Sequence, residues 1–135
     1  MRPTKGTSGY LLDTNVILHS ALAPAKLGSA TKQIITENPR VFFSPISITE
    51  IEVKSLKKKL PVLGNLQEEL TEREILEKPY TSKHAAEIKT FTSLIDHDPY
   101  DRMLLAQARV ENLTLITSDK QLLGLGFTWV QDAAN

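Results

Sequence analysis

The 135-residue sequence contains no cysteine. Disulfide scaffolds, thiol nucleophiles and zinc–thiolate centres are therefore excluded. No apolar run approaches the ~20 residues that a membrane-crossing helix needs. The start, Met1 to Gly9, has no apolar stretch of the kind that a secretory signal carries. A soluble, cytoplasmic protein with no membrane partner is the expectation. Excess charge is also missing, with 16 Lys and Arg against 16 Asp and Glu. That balance argues against a strongly basic nucleic-acid coat, but not against a local basic patch. Internal repeats, low-complexity segments and long linkers are absent as well, so one domain is expected.

What is present reads as a globular chain. The hydrophobic fraction of 41% suits a soluble domain. A chain of this length buries roughly 68% of the surface its unfolded form exposes, enough for a true core. Short apolar strands alternate with longer helical stretches. Strands are expected at Gly9–Asp13, Val41–Ser44, Ile75–Leu76, Leu113–Thr117 and Phe127–Val130. Helices are expected at Thr14–Ala23, Leu27–Asn38, Ser47–Leu60, Val62–Glu72, Ser82–Leu94 and Pro99–Asn112. A short helix or turn is expected at Ser118–Leu123. This alternation predicts an α/β fold with a mainly parallel sheet covered on both faces.

Acids stand where such a sheet places its ligands, beyond the carboxyl ends of the strands. Asp13 ends the first strand, and Asp119 lies just past Leu113–Thr117. Glu50 lies in the helix after Val41–Ser44, and Asp98 and Asp101 open the helix at Pro99. Each also has a plain structural use. Asp13, Asp98 and Asp119 can each cap a helix. Ser47 and Glu50 fit a capping box. Glu50 and Lys54, like Asp98 and Arg102, make i,i+4 pairs that are weak on a surface. Taken together, several carboxylates converging at one sheet edge would repel one another, and a cation would relieve that repulsion. Oxygen-only ligation favours Mg²⁺ or Mn²⁺. Those ions suit phosphoryl chemistry, because they activate water and neutralise charge on the leaving oxygen.

Four segments carry a resemblance: Leu12-Asp13-Thr14-Asn15, Ser47-Ile48-Thr49-Glu50-Ile51, Asp98-Pro99-Tyr100-Asp101-Arg102 with the run on to Ala108, and Leu115-Ile116-Thr117-Ser118-Asp119. In order and separation they resemble the signature segments of PIN domains, and most of all those of VapC-type toxins with an Asp-Pro-aromatic-Asp-Arg signature. Tyr100 departs from the more usual phenylalanine. The resemblance implies a three-layer α/β/α fold with a central, mainly parallel sheet. It implies a single PIN domain over residues 10–135 after a loose polar lead-in over 1–9. It implies Asp13, Glu50, Asp101 and Asp119 as catalytic, metal-holding acids, with Asp98 able to supplement or replace Asp101. Asn15, Ser47 and Thr117 would support the pocket, and Lys54 and Arg102 would contact RNA phosphate. The implied activity is a Mg²⁺- or Mn²⁺-dependent endoribonuclease that cleaves a tRNA or ribosomal RNA and stops translation. The implied partners are a VapB-like antitoxin, the RNA substrate and a second copy of the chain in a homodimer.

The residues also admit other readings. Asp13 as a phosphate acceptor would make a phosphatase or signalling domain, but Asn15 stands where many such enzymes carry a second aspartate. A non-catalytic RNA-binding or scaffold protein would not require the full set of acids. The lysines between Lys54 and Lys59 read as a solvated helix face or a guide for RNA. His97, next to Asp98, could serve as a general base, but reads rather as an exposed residue beside a helix cap, and His19 and His84 read as surface residues. Trp129 reads as core, and Gly124-Leu125-Gly126 as a turn.

Overall fold

Three short apolar strands build the middle of the molecule. Tyr10–Leu12 (β1), Val41–Phe43 (β2) and the inner residues of Thr114–Thr117 (β4) place alternate side chains on opposite faces of a sheet. Leu76–Glu77 (β3) and Val130–Asp132 (β5) lie at its edges. The computed structural model describes residues 6–61 and 63–135. The strand order is β3-β2-β1-β4-β5, and every neighbouring pair is parallel. The expected α/β architecture is the observed one.

Alternation along the strands separates two cores. Leu12, Phe43 and Ile116 face one, with Val16 and Ile17 of α1 (Thr14–Leu22), Ile51 of α3 (Pro45–Leu56) and Leu70 of α4 (Leu66–Glu72). Leu11, Phe42 and Leu115 face the other, with Leu104, Leu105 and Ala108 of α6 (Pro99–Glu111). Sheet between helices on both sides makes three layers. The remaining helices are α2 (Ser29–Glu37), α5 (Ser82–Glu87) and α7 (Lys120–Leu123). No helix among the described residues is long and apolar enough to cross a membrane.

Several boundaries differ from expectation, each for a local reason. α3 begins at Pro45, not Ser47, because Ser44 caps it by accepting from the Ile46 amide and Pro45 presets the first helical φ. The capping box at Ser47 and Glu50 therefore does not form. α3 also stops at Leu56, where Lys58 adopts a left-handed φ of 59°. The helix expected over Ser82–Leu94 is α5 followed by two short 3₁₀ turns, Ile88–Thr90 and Thr92–Leu94. The last strand starts at Val130 rather than Phe127. Trp129 is buried before it and stacks on Phe127 with centroids 4.9 Å apart, as a core residue should. His84 is not on the surface. It is buried, its Nδ1 accepts from the Thr81 amide, and its Nε2 lies 2.7 Å from Glu111.

Residues 1–5 of the expected lead-in, and Val62 of the expected fourth helix, lie outside the described residues. Thr7 and Ser8 are tied down rather than loose. The Ser8 amide donates to Asn112 O, and Thr7 Oγ1 accepts from the Thr114 amide. Gly9 then lets β1 enter beside β2. Its φ is +143°, and a Cβ there would stand 2.6 Å from Arg40 O.

The sheet core should dominate stability. Leu115→Ala removes a fully buried side chain and is expected to cost about 2–5 kcal/mol. Leu56→Ala, at a residue 83% exposed, should stay within about 0.5 kcal/mol of wild type. Urea denaturation of the two variants checks both.

Candidate active site

The strand order reverses across β1. The chain runs outward from β1 to β2 and β3, then crosses back to place β4 on the other side of β1. At such a switch point the connections leave in opposite directions and open a crevice beyond the strand ends. Asp13 leaves β1 there, and Asp119 leaves β4.

Asp13 is almost fully buried, with 1% exposure. Its Oδ1 accepts from the Val16 amide at 2.8 Å and caps α1. Its Oδ2 accepts from the Thr117 hydroxyl across the β1–β4 boundary. Burial pushes the Asp13 carboxyl up to about 6, against the opposing pull of those two hydrogen bonds, and the charges of Glu50 and Asp119 push the same way. Thr117 Oγ1 also accepts from the Asp119 amide, so one hydroxyl positions two acids. Asp119 divides its oxygens likewise. Its Oδ1 caps α7, accepting from Gln121 and Leu122, while its Oδ2 lies 3.4 Å from His97 Nε2.

Glu50 comes from α3, and its side chain is 4% exposed. Its Oε2 meets Lys54 Nζ at 2.7 Å, and its Oε1 is buried without a hydrogen-bond partner. The hydrogen bond to Glu50 holds the Lys54 ammonium above its usual range, and the charges of Asp98 and Asp101 add to that. This is more than the weak surface pair that the i,i+4 spacing suggested, because one partner is buried. Ser47, fully buried one turn before Glu50, accepts from the Thr14 hydroxyl at 3.0 Å and ties α3 to α1.

α6 supplies the remaining acids, and the structure separates them. Asp98 is exposed and caps the helix by accepting from the Tyr100 amide at 2.9 Å. Asp101, in the first turn, points its Oδ2 at His97 Nε2, 3.1 Å away. Burial raises the Asp101 carboxyl to about 7, with further pushes from Asp13, Asp98, Asp119 and Glu50. All four other acids therefore act on Asp101. Asn15 is exposed in the first turn of α1. Arg102 is half-buried, and its guanidinium donates to Leu94 O at 3.4 Å rather than pairing with Asp98.

His97 is the residue that the sequence reading sets aside as exposed and the structure places among the acids. Its side chain is only 10% exposed, and it bridges Asp101 and Asp119. The 3₁₀ turn at Thr92–Leu94 folds it inward, with the His97 amide donating to Leu94 O. The available signal was its four-residue spacing to Asp101.

A family model describes this arrangement. The PIN domain matches residues 10–127.

The chain belongs to the PIN domain family.

PIN domains usually bind divalent metal ions, and at the coarse level the family points to a nuclease. Solved structures share the PIN architecture. A toxin–antitoxin complex from Klebsiella pneumoniae superposes with a TM-score of 0.63 at 17% identity, covering 91% of this chain and 99% of that one. VapBC2 from Rickettsia felis, bound to a promoter DNA fragment, gives 0.63 at 15%, covering 91% and 96%. DNA-bound VapBC from Salmonella typhimurium gives 0.62 at 15%, covering 92% and 96%. At these identities the likeness is one of fold. No curated protein matches the sequence.

The donor set fits a divalent cation. Asp101 and Asp119 together with His97 place three ligand atoms within 4.8 Å of one another, and Glu50, paired with Lys54 through Oε2, keeps a buried Oε1 that has no hydrogen-bond partner.

Raised carboxyl values make the cation-free protein less stable as pH rises. Between the unfolded value near 3.8 and the folded values near 6 and 7, the folded chain binds more protons than the unfolded one. Stability is therefore lost as pH climbs through that window. In EDTA, urea denaturation should show a fall on the order of 1–3 kcal/mol from pH 5 to pH 8. Asp101→Asn should flatten the slope and stabilise the protein at pH 8, and added Mn²⁺ should stabilise the wild type at pH 8.

Proposed function

We propose that this PIN domain is a Mg²⁺- or Mn²⁺-dependent endoribonuclease toxin of the VapC type. Its substrate is RNA, a tRNA or a ribosomal RNA, and its cleavage inhibits translation. The observation that carries the reading is the convergence of acids at the β1–β4 switch point, with Glu50 Oε1 buried and unpartnered among them.

Asp13, Glu50, Asp101 and Asp119 would hold the metal. When bound, the ion neutralises charge on the leaving oxygen and activates water for attack on phosphorus. The chain's own groups set the stage for that. The Thr117 hydroxyl fixes the orientation of Asp13 by donating to it, and holds the Asp119 backbone by accepting from the Asp119 amide. Ser47 anchors the α3 turn that carries Glu50, and Asn15 stands exposed at the rim. Lys54 lies against Glu50, and the exposed Lys57, Lys58 and Lys59 extend positive charge along the end of α3. These lysines, with Arg102, are the groups suited to an RNA backbone, and their contribution would weaken as salt rises. Asp98 keeps a capping role beside the site.

A VapB-like antitoxin is the expected inhibitor. The Klebsiella, Rickettsia and Salmonella neighbours are toxin–antitoxin complexes, which supports such a partner. A homodimer acting in the cytoplasm completes the reading. The phosphate-acceptor alternative lacks its second acid, since Asn15 stands where many such enzymes carry an aspartate.

The test is a paired digestion. Protein purified free of any partner is incubated with total RNA in Mn²⁺ or Mg²⁺, and again in EDTA. Discrete, cation-dependent fragments are expected. Asp101→Asn should lower cleavage by about a hundredfold or more, since even groups behind metal ligands cost roughly 10–100-fold. Asp98→Asn should retain most of the activity. Calorimetry accompanies the assay, and a protein that binds neither ion would overturn the nuclease reading in favour of a non-catalytic scaffold.

A further inference from the structure

His97 belongs to none of the four family segments, yet it stands between two of the acids. Its Nε2 lies 3.1 Å from Asp101 Oδ2 and 3.4 Å from Asp119 Oδ2. Adjacent ligands of an octahedral ion with bonds of about 2.1–2.2 Å are roughly 3.0 Å apart. The two separations are thus close to those of neighbouring donors in one coordination shell. The imidazole is nine-tenths buried, so it is held at this place rather than sampling solvent. A second observation lies beside this cluster, outside the three atoms that stand within 4.8 Å of one another. Glu50 Oε1 is buried with no hydrogen-bond partner, and the Glu50 charge acts on both Asp13 and Asp101.

We propose that His97 is a nitrogen ligand of the cation held by Asp101 and Asp119, and that it biases the centre toward Mn²⁺ over Mg²⁺. This rests on the metal-dependent reading above and amends its oxygen-only ligand set. Carboxylates serve Mg²⁺ and Mn²⁺ alike, but a nitrogen donor is better accepted by Mn²⁺, a d-block ion with a larger radius, than by Mg²⁺. Mg²⁺ dehydrates reluctantly and prefers to keep its waters. One nitrogen among the oxygens therefore favours the ion that accepts it. Asp101 and His97 then act as a pair from adjacent turns, four residues apart.

The experiment reads the metal's surroundings directly. Wild-type protein is loaded with Mn²⁺, and pulsed electron paramagnetic resonance is used to look for nitrogen coupling. A ¹⁴N coupling that changes on ¹⁵N-histidine labelling and disappears in His97→Gln is expected. Calorimetry should show Mn²⁺ binding weakened by about tenfold or more in that variant, with a smaller loss for Mg²⁺. Circular dichroism establishes that the variant is folded, and the wild-type spectrum does not depend on it. Bound Mn²⁺ without nitrogen coupling overturns the role of His97 and leaves the four-acid centre standing. Tighter Mn²⁺ binding in His97→Gln also overturns it, because the imidazole would then be competing with the ion. Wild-type protein that binds no Mn²⁺ overturns this inference together with the reading it rests on.

Discussion

Burial of carboxylates beside one another at the ends of β1 and β4 is the constraint around which this molecule is arranged, with loss of solvent the larger cost and mutual repulsion adding to it. Asp13 and Glu50 are buried, Asp101 and Asp119 are largely so, Asp13 feels the charges of Glu50 and Asp119, and Asp101 feels those of the other three. In a low dielectric such neighbours are costly unless something positive or something that donates stands between them. The protein supplies several such partners. Thr117 donates to Asp13, amides donate to Asp13 and Asp119, Lys54 neutralises part of Glu50, and His97 bridges Asp101 and Asp119. The remaining imbalance appears as raised carboxyl values on Asp13 and Asp101. A divalent cation is the species that would remove it.

The same atoms do structural and chemical work. Capping and site-building look like rival uses of Asp13 and Asp119, but the two oxygens of a carboxylate divide them. One oxygen accepts from the first amides of a helix, which fixes the side chain's rotamer. The other then points at a defined neighbour. A helix start beyond a strand end is thus a device for aiming a carboxylate. Asp98 shows the contrast. It caps α6 as well, but from the exposed side of the turn, and it contributes only its charge to the cluster.

Legibility in the sequence followed the range of the interaction. Strands such as Leu113–Thr117 were readable because their apolar run is local and sheet burial rewards it. Asp13 and Asp119 were readable as strand-end acids for the same reason. Helix starts were less so: Pro45 with Ser44 outcompeted Ser47 with Glu50, a contest between two local signals that sequence inspection judged wrongly. His97 and His84 were misread as exposed. Their burial depends on the 3₁₀ turns after α5 and on Glu111 and Asp119, which lie more than twenty residues away from them in the chain.

By itself the sequence determined the α/β class, the parallel sheet and the residue types able to hold a hard cation. Those follow from hydrophobic periodicity and from acids placed just past apolar strands, both properties of short windows. Only the tertiary structure decided which acids meet. The reversal of strand order across β1 brings Asp13 to Asp119, although they are far apart in sequence, and the crossing of α3 and α6 over that edge sets Glu50 and Asp101 against them. It also decided between two acids three residues apart, placing Asp101 toward His97 and Asp98 toward solvent, because Asp98 is the cap, and its non-helical backbone (φ −50°, ψ 121°) takes it off the face that i,i+3 spacing would otherwise share.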